Sequence, residues 1–369
     1  MSRLTLFHVG FLFLILFFTT TAKAQKEAET FNVDSTLYEY YQRCQEYLLE
    51  PVVLNMSDTL FRMAGERQDE RMQAVAIATQ LDYYYFQGTN EDSVIHYTNK
   101  VKEFAKATHQ PKYYYFAWAN RLITYYLKTS RTNIALYEVQ NMLKEAQEED
   151  DKTGLSRCYN IMSQIYTIKR FDSMAFEWRL KEIELTEKYK IENYNISQTY
   201  AQIANYYINQ KKQKEALAAV EKAIATANSS TQQISAKLEF VNYYSKFGDF
   251  QAAEKLLKEC QTAFEQDKRL ESIKKRLYNI ECLYYQQTKQ YPKALEAAKM
   301  QEKEERRLSE SILSSSHYRT QGEIYQKMGN MNLAVKYLQM YINTDDSLKI
   351  ANEQVASSEF ATLSLIHIS

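Results

Sequence analysis

Turn formers are scarce in this chain. Seven glycines and three prolines serve 369 residues, too few for the tight turns of a β-sandwich or a doubly wound sheet. Histidine is also rare, with five residues, and cysteine rarer, with four. His8 lies in an N-terminal apolar segment and His367 in an atypical C-terminal stretch, leaving His96, His109 and His317 far apart in sequence. There is no His-Glu-x-x-His, no Cys-x-x-Cys, no glycine-rich phosphate loop and no Gly-x-Ser-x-Gly elbow. Solitary histidines on helices read as solvated, so neither catalysis nor a metal nor a cofactor is expected. An excess of one charge is missing too. The 46 basic and 46 acidic residues balance, which gives no electrostatic footprint for nucleic acid or an anionic membrane.

Helix formers fill the space left by turn formers, and the chain reads as all-α. The first 24 residues stand apart. Arg3, an apolar run to Phe18 and the small-residue site Ala22-Lys23-Ala24 match a secretory leader cut after Ala24. An uncleaved anchor is the alternative, but the run is shorter than the roughly 20 residues of a spanning helix. No cysteine follows the run, so a lipoprotein anchor is not supported, and nothing downstream is apolar enough to span a bilayer. The expected mature protein is exported, with residues 25–35 as a linker.

From there the sequence repeats. A tyrosine is followed nine residues later by a small or β-branched residue: Tyr85/Val94, Tyr126/Ala135, Tyr166/Ala175, Tyr207/Ala216, Tyr244/Ala253, Tyr285/Ala294 and Tyr325/Ala334. The tyrosines are 37 to 41 residues apart, a period that marks stacked supersecondary units. A polar turn such as QKKQK or MGNMN falls four to eight residues after each tyrosine, so each unit is predicted to be a helical hairpin. The small residue lets the second helix approach the first. Residues 36–65 have the size of an eighth, degenerate unit. One hairpin cannot bury its apolar stripe alone, so neighbours must stack.

In the last unit, Gly322, Tyr325, Gly329-Asn330, Ala334 and Leu338 resemble the tetratricopeptide repeat in their order. The likeness runs over residues 36–348. The period is nearer 40 than 34, tyrosine mostly replaces the opening tryptophan, and the closing proline is missing. The resemblance implies a right-handed α-solenoid of about eight hairpins that binds a protein or peptide partner, with no nucleic acid and no membrane contact. Such exported arrays resemble the periplasmic sensory halves of Bacteroidetes signalling proteins, whose membrane helix and kinase or DNA-binding output follow the array. A self-contained periplasmic adaptor is the alternative. Residues 349–362 are expected to form a capping or stalk helix. The final Leu363–Ser369, LSLIHIS, is also what a common sequencing adapter spells in one frame, so it is expected to be read-through.

In an array of this hand the first helix of each hairpin lines the concave face. Asn120, Asn160 and Asn279 lie six residues before their tyrosines, Asn205 and Asn242 two before. Six and two differ by four, which puts all five on one helical face. Gln164, Gln286, Arg157, Arg276 and Tyr83 lie on or near the same stripe. A carboxamide ladder suits an extended peptide backbone, since each amide both donates and accepts. An arginine could hold a carboxylate in two bonds. The competing reading is a solvated stripe of amides bonded to each other and to water. In DYYYFQG and PKYYYFAWAN, three successive tyrosines point three ways, so at most two can reach the groove and the rest are expected to pack between hairpins. Cys260 and Cys282 fall in neighbouring helices, either as a disulfide or as two small buried thiols.

Overall fold

The computed structural model describes residues 33–88, 90–191, 193–307 and 316–347. The leader at 1–24, the stalk at 349–362, the read-through at 363–369 and most of the 25–35 linker lie outside these residues. Among the described residues every regular element is helical. The chain divides into two compact units, Met1–Cys158 and Tyr159–Ser369.

The first unit holds three hairpins: α1 (Ser35–Glu46) with α2 (Val52–Glu66), α3 (Glu70–Gln87) with α4 (Glu91–Ala107), and α5 with α6 (Thr132–Glu148). Helix α5 is continuous but changes winding, α-helical over Pro111–Tyr115, π-helical over Phe116–Ile123 and α-helical again over Thr124–Lys128. The unit boundary falls inside α7 (Lys152–Ile168), whose partner is α8 (Asp172–Tyr189). The second unit continues with α9 (Ile196–Asn209) and α10 (Gln213–Ala225), then α11 (Ser230–Phe247) and α12 (Phe250–Gln266). After a short 3-10 turn, Lys268–Ile273, come α13 (Lys274–Gln287) and α14 (Tyr291–Arg307). The last pair is α15 (Ser316–Lys327) and α16 over 331–347.

The nine-residue spacing has a backbone cause. In six of the seven units the tyrosine carbonyl accepts the N–H of the residue five positions on, as in Lys212 N–H to Tyr207 at 2.9 Å and Gln290 N–H to Tyr285 at 2.8 Å. That residue's own carbonyl accepts the N–H of the small residue four further on, as in Ala216 to Lys212 at 2.9 Å and Ala294 to Gln290 at 3.0 Å. A six-to-one closing bond followed by the first bond of the next helix adds to nine. The small residues sit at the bottom of the core. Val94, Ala135, Ala216, Ala253 and Ala294 are fully buried, and Ala175 and Ala334 nearly so.

Such a turn needs one residue in the left-handed region, four after the tyrosine in six units and three after Tyr85 in the other. Glycine fills it at Gly88, Gly248 and Gly329; Ser130, Arg170, Lys211 and Lys289 adopt the same positive φ. Between hairpins Gln68, His109 and Asp150 do so as well. A glycine-poor chain therefore makes its turns with strained polar residues rather than with fewer turns. Several helices are capped at their start. Asp34, Asp69, Asn90 and Asp249 each accept the backbone N–H three residues on, at 2.9–3.1 Å.

Two glycines answer to packing instead. An added Cβ at Gly322 would lie 2.9 Å from Leu338, so α15 and α16 meet there. At Gly154 it would overlap the buried Tyr115 ring. All four cysteines are buried free thiols. Burial pushes Cys44 and Cys282 up to about 11 and Cys158 and Cys260 up to about 12. The histidines differ from the solvated reading at one place. His96 and His109 are exposed, but His317 is buried with its Nε2 3.6 Å from Glu302 and its ring against Tyr318.

Candidate functional site: the face of the leading helices

Within each unit, leading helices of successive hairpins lie side by side. In the first unit α3 touches both α1 and α5; in the second, α11 lies between α9 and α13. Two different surfaces result.

In the first unit the face opens into a cleft of about 420 Å³. Helix α3 forms its floor with Met72, Val75 and Ala78 between Arg71 at one end and Asp82 at the other. Tyr38 and Tyr41 from α1 form one wall, Tyr113 and Phe116 from α5 the other. The π-helical turns begin at this wall. Bonds to the fifth residue widen the turn, which places Arg121 over the ring of Phe116, five residues earlier, at 4.3 Å. The same guanidinium faces Tyr85 at 4.8 Å and pairs through Nε with Asp82 Oδ1. Burial raises the Asp82 carboxyl above its usual range despite that pair. Among the described residues its Oδ2 accepts no hydrogen bond. Tyr41 is raised by burial and next by Asp82, while Tyr113 is raised by burial with Arg71 pulling the other way.

In the second unit the face is filled. Glu239 on α11, 2 % exposed, accepts from Asn205 Nδ2 on α9 at 3.2 Å and from Asn242 Nδ2 at 2.8 Å. Its other oxygen accepts from Arg276 Nη2 on α13 at 2.8 Å. One carboxylate thus ties three leading helices. Glu182 on α8, 1 % exposed, accepts from Asn160 Nδ2 at 3.1 Å, from Asn193 Nδ2 at 2.8 Å and from Thr199 at 3.4 Å. Buried Arg179 stands near enough to act as countercharge. A buried carboxylate is tolerable when it is bonded and matched in this way.

Of the ten stripe residues, the structure brings Asn205, Asn242 and Arg276 together on Glu239. It joins Gln164 to Asn160, with Gln164 Nε2 donating to Asn160 Oδ1 at 2.7 Å. Gln286 donates to the Cys282 sulfur at 3.3 Å, and Asn279 is exposed on α13. Asn120, beside Arg121 in the π-helical turns, and Arg157 are half-buried in the first unit. Tyr83 packs edge-on against Tyr84 at 5.0 Å. Of the three tyrosines in PKYYYFAWAN, Tyr113 lines the cleft while Tyr114 and Tyr115 are buried. Sequence reasoning missed Glu182 and Glu239, and it missed Arg71, Asp82 and the rings around them. The only trace was that Arg71 and Asp82 are eleven residues apart, three turns along one helical face.

No family model and no curated protein matches this chain. Solved structures do. The quorum sensor NprR from B. thuringiensis in its apo form is 13% identical, over 87% of this chain and 91% of that one, at a TM-score of 0.54. A Rap protein complexed with Competence and Sporulation Factor is 15% identical, over 89% and 92%, at 0.51. A tetratricopeptide repeat protein from Parabacteroides merdae is 13% identical, over 87% and 99%, at 0.44. At such identities the first two likenesses are likenesses of fold. The tyrosine comb, its hairpins and those two likenesses together give the chain the all-α, tetratricopeptide-like solenoid fold.

Proposed function

We propose that this chain is an exported recognition region that binds a peptide or protein on the face of its leading helices, with the α1–α3–α5 cleft as the anchor point. The observation that carries the reading is the cleft itself: concave, mostly apolar, aromatic on both walls, with charged groups at its two ends. The amide stripe of the second unit is a weaker anchor. A ligand there would first have to draw Asn205, Asn242 or Arg276 away from Glu239, whereas exposed Asn279 and Gln164 could add contacts directly. The NprR structure is of a quorum sensor and the Rap structure holds a bound factor, which is consistent with ligand binding on this fold.

The leader pattern at Met1–Ala24 supports export. In that setting we read the array as the periplasmic input part of a membrane signalling protein, a free-standing adaptor being the alternative. Among the described residues no helix is long and apolar enough to cross a membrane. Panning a random peptide library against the whole chain tests the recognition reading. Enriched peptides should bind the wild type and lose about tenfold or more in affinity to Phe116→Ala or Tyr41→Ala, the loss expected when a central aromatic contact is truncated. Peptides that bind both variants as tightly as the wild type would count against the cleft.

A further inference from the structure

Another cavity, of about 340 Å³, lies in the second unit between α13 and α14. Helix α13 gives it Tyr278, Glu281 and Tyr285, at i, i+3 and i+7 on one face, and α14 gives it Lys293, Glu296 and Met300 with the same spacing. Tyr278 and Tyr285 stand two and nine residues past Arg276. At about 100° per residue both are about half a turn round α13 from the arginine that braces Glu239. The cavity is thus set on a different side of the helix from the leading-helix face.

Its charges do not balance. Glu281 is half-buried, and its Oε1 accepts from Gln261 Nε2 on α12 at 2.6 Å. Among the described residues its Oε2 accepts no hydrogen bond, and no cation pairs with Glu281 or Glu296. Burial raises the Glu281 carboxyl and Glu296 raises it further, as expected of a carboxylate short of positive charge. A carboxylate drawn out of water without a countercharge lowers stability, and a cation entering the cavity would relieve that. The walls suit one. Lys293 Nζ stands over the Tyr285 ring, 5.4 Å from its centre, so that face is already turned to positive charge. The ring is held by packing on the cluster of Ala294, Ala297 and Ala298. Two carboxylates beside two rings fit an organic cation better than a calcium or magnesium ion, whose shell needs more oxygen donors.

We propose that this cavity binds a primary alkylammonium group, its nitrogen between Glu281 and the face of Tyr285 and its hydrocarbon part against Met300 and Tyr278. The ammonium N–H groups supply the donors that Glu281 Oε2 lacks, and exposed Glu296 adds attraction at the rim. Exposed Lys293 competes for the same ring and gives way to the ligand. A free small amine and the lysine side chain of a partner both carry this chemistry. The site is separate from the α1–α3–α5 cleft, and the proposal stands or falls without the peptide reading.

The test is calorimetric titration of the full chain at neutral pH with n-butylammonium chloride, 1-butanol and Nα-acetyl-lysine N-methylamide. n-Butylammonium should bind, and 1-butanol, the same chain without the charge, should bind about tenfold or more weakly, the loss of a charge-assisted contact. Glu281→Gln keeps the shape of the side chain and removes the buried charge, so it should fold at least as well as the wild type. It should weaken n-butylammonium binding by about tenfold. Lys293→Met, which removes the competing ammonium, should tighten it. The capped lysine separates the two sources: binding as tight as that of n-butylammonium assigns the cavity to a partner's lysine, and binding of the free amine alone assigns it to a small amine. Absence of binding by both amines, 1-butanol binding as tightly as n-butylammonium, or equal affinity in the wild type and Glu281→Gln would overturn the proposal.

Discussion

The same hairpin, used by both units, yields an open leading-helix face in one and a closed one in the other. In the first unit the charged pair Asp82–Arg121 sits at the edge of an aromatic cleft, and one carboxylate oxygen has no donor among the described residues. In the second, Glu239 is bonded through both oxygens to three helices and is almost wholly buried. A carboxylate on a leading helix can thus serve either as brace or as bait, depending on whether amides from the neighbouring helices reach it. Rigidity and recognition are set residue by residue on a common frame.

The largest expected effect separates the two carboxylates. Arg276→Met strands Glu239 without a countercharge and should cost about 3–5 kcal/mol in denaturant unfolding. Adding Glu239→Met to it should restore most of the loss. Arg121→Met should cost less than half as much, because Asp82 can draw water from the cleft. Equal losses would break the comparison. Next comes Gly154→Ala, which drives a methyl into the Tyr115 ring and should cost about 1–3 kcal/mol; an unchanged midpoint would mean that the ring is not held where the structure puts it.

Smaller still is Lys211→Gly. Lys211 is exposed at φ +57°, a conformation that costs a non-glycine residue about 1 kcal/mol. Relief of that strain, less the added chain entropy of glycine, should raise the thermal midpoint slightly. The smallest is Glu281→Gln, for which the sign is fixed by linkage. Burial raises the Glu281 carboxyl, and Glu296 adds to it, although Gln261 donates to it at 2.6 Å. The folded state therefore binds that proton more tightly than the unfolded one. The charged form lowers stability above the raised folded value, and no cost remains below the unfolded value of 4.5. The variant should be more stable than the wild type at neutral pH, and the gain should fade as pH falls through that window.

Much of the frame was legible in the sequence. Seven tyrosine–small pairs located the turns because a fixed backbone bonding pattern, five residues and then four, imposes that spacing whatever the surroundings. The sites were less legible for the opposite reason. Glu239 reads on its own helix as an ordinary solvated charge, and only the facing of Asn205 and Arg276 from helices over 30 residues away shows it to be buried. The amide stripe was found as a pattern, but its partners were not, since pattern gives a face and not what stands opposite. The cleft draws Tyr41, Asp82 and Phe116 from three hairpins, and a change of winding in α5 that no local motif signalled brings Arg121 to Asp82.

The most direct test of the account is hydrogen exchange across the whole chain with and without a panned peptide. Slowed exchange is expected over residues 71–82 of α3 and through the π-helical turns of α5, with α11 and α13, already braced by Glu239, unchanged. Protection confined to the second helices of the hairpins, with α3 and α5 unaffected, would contradict it.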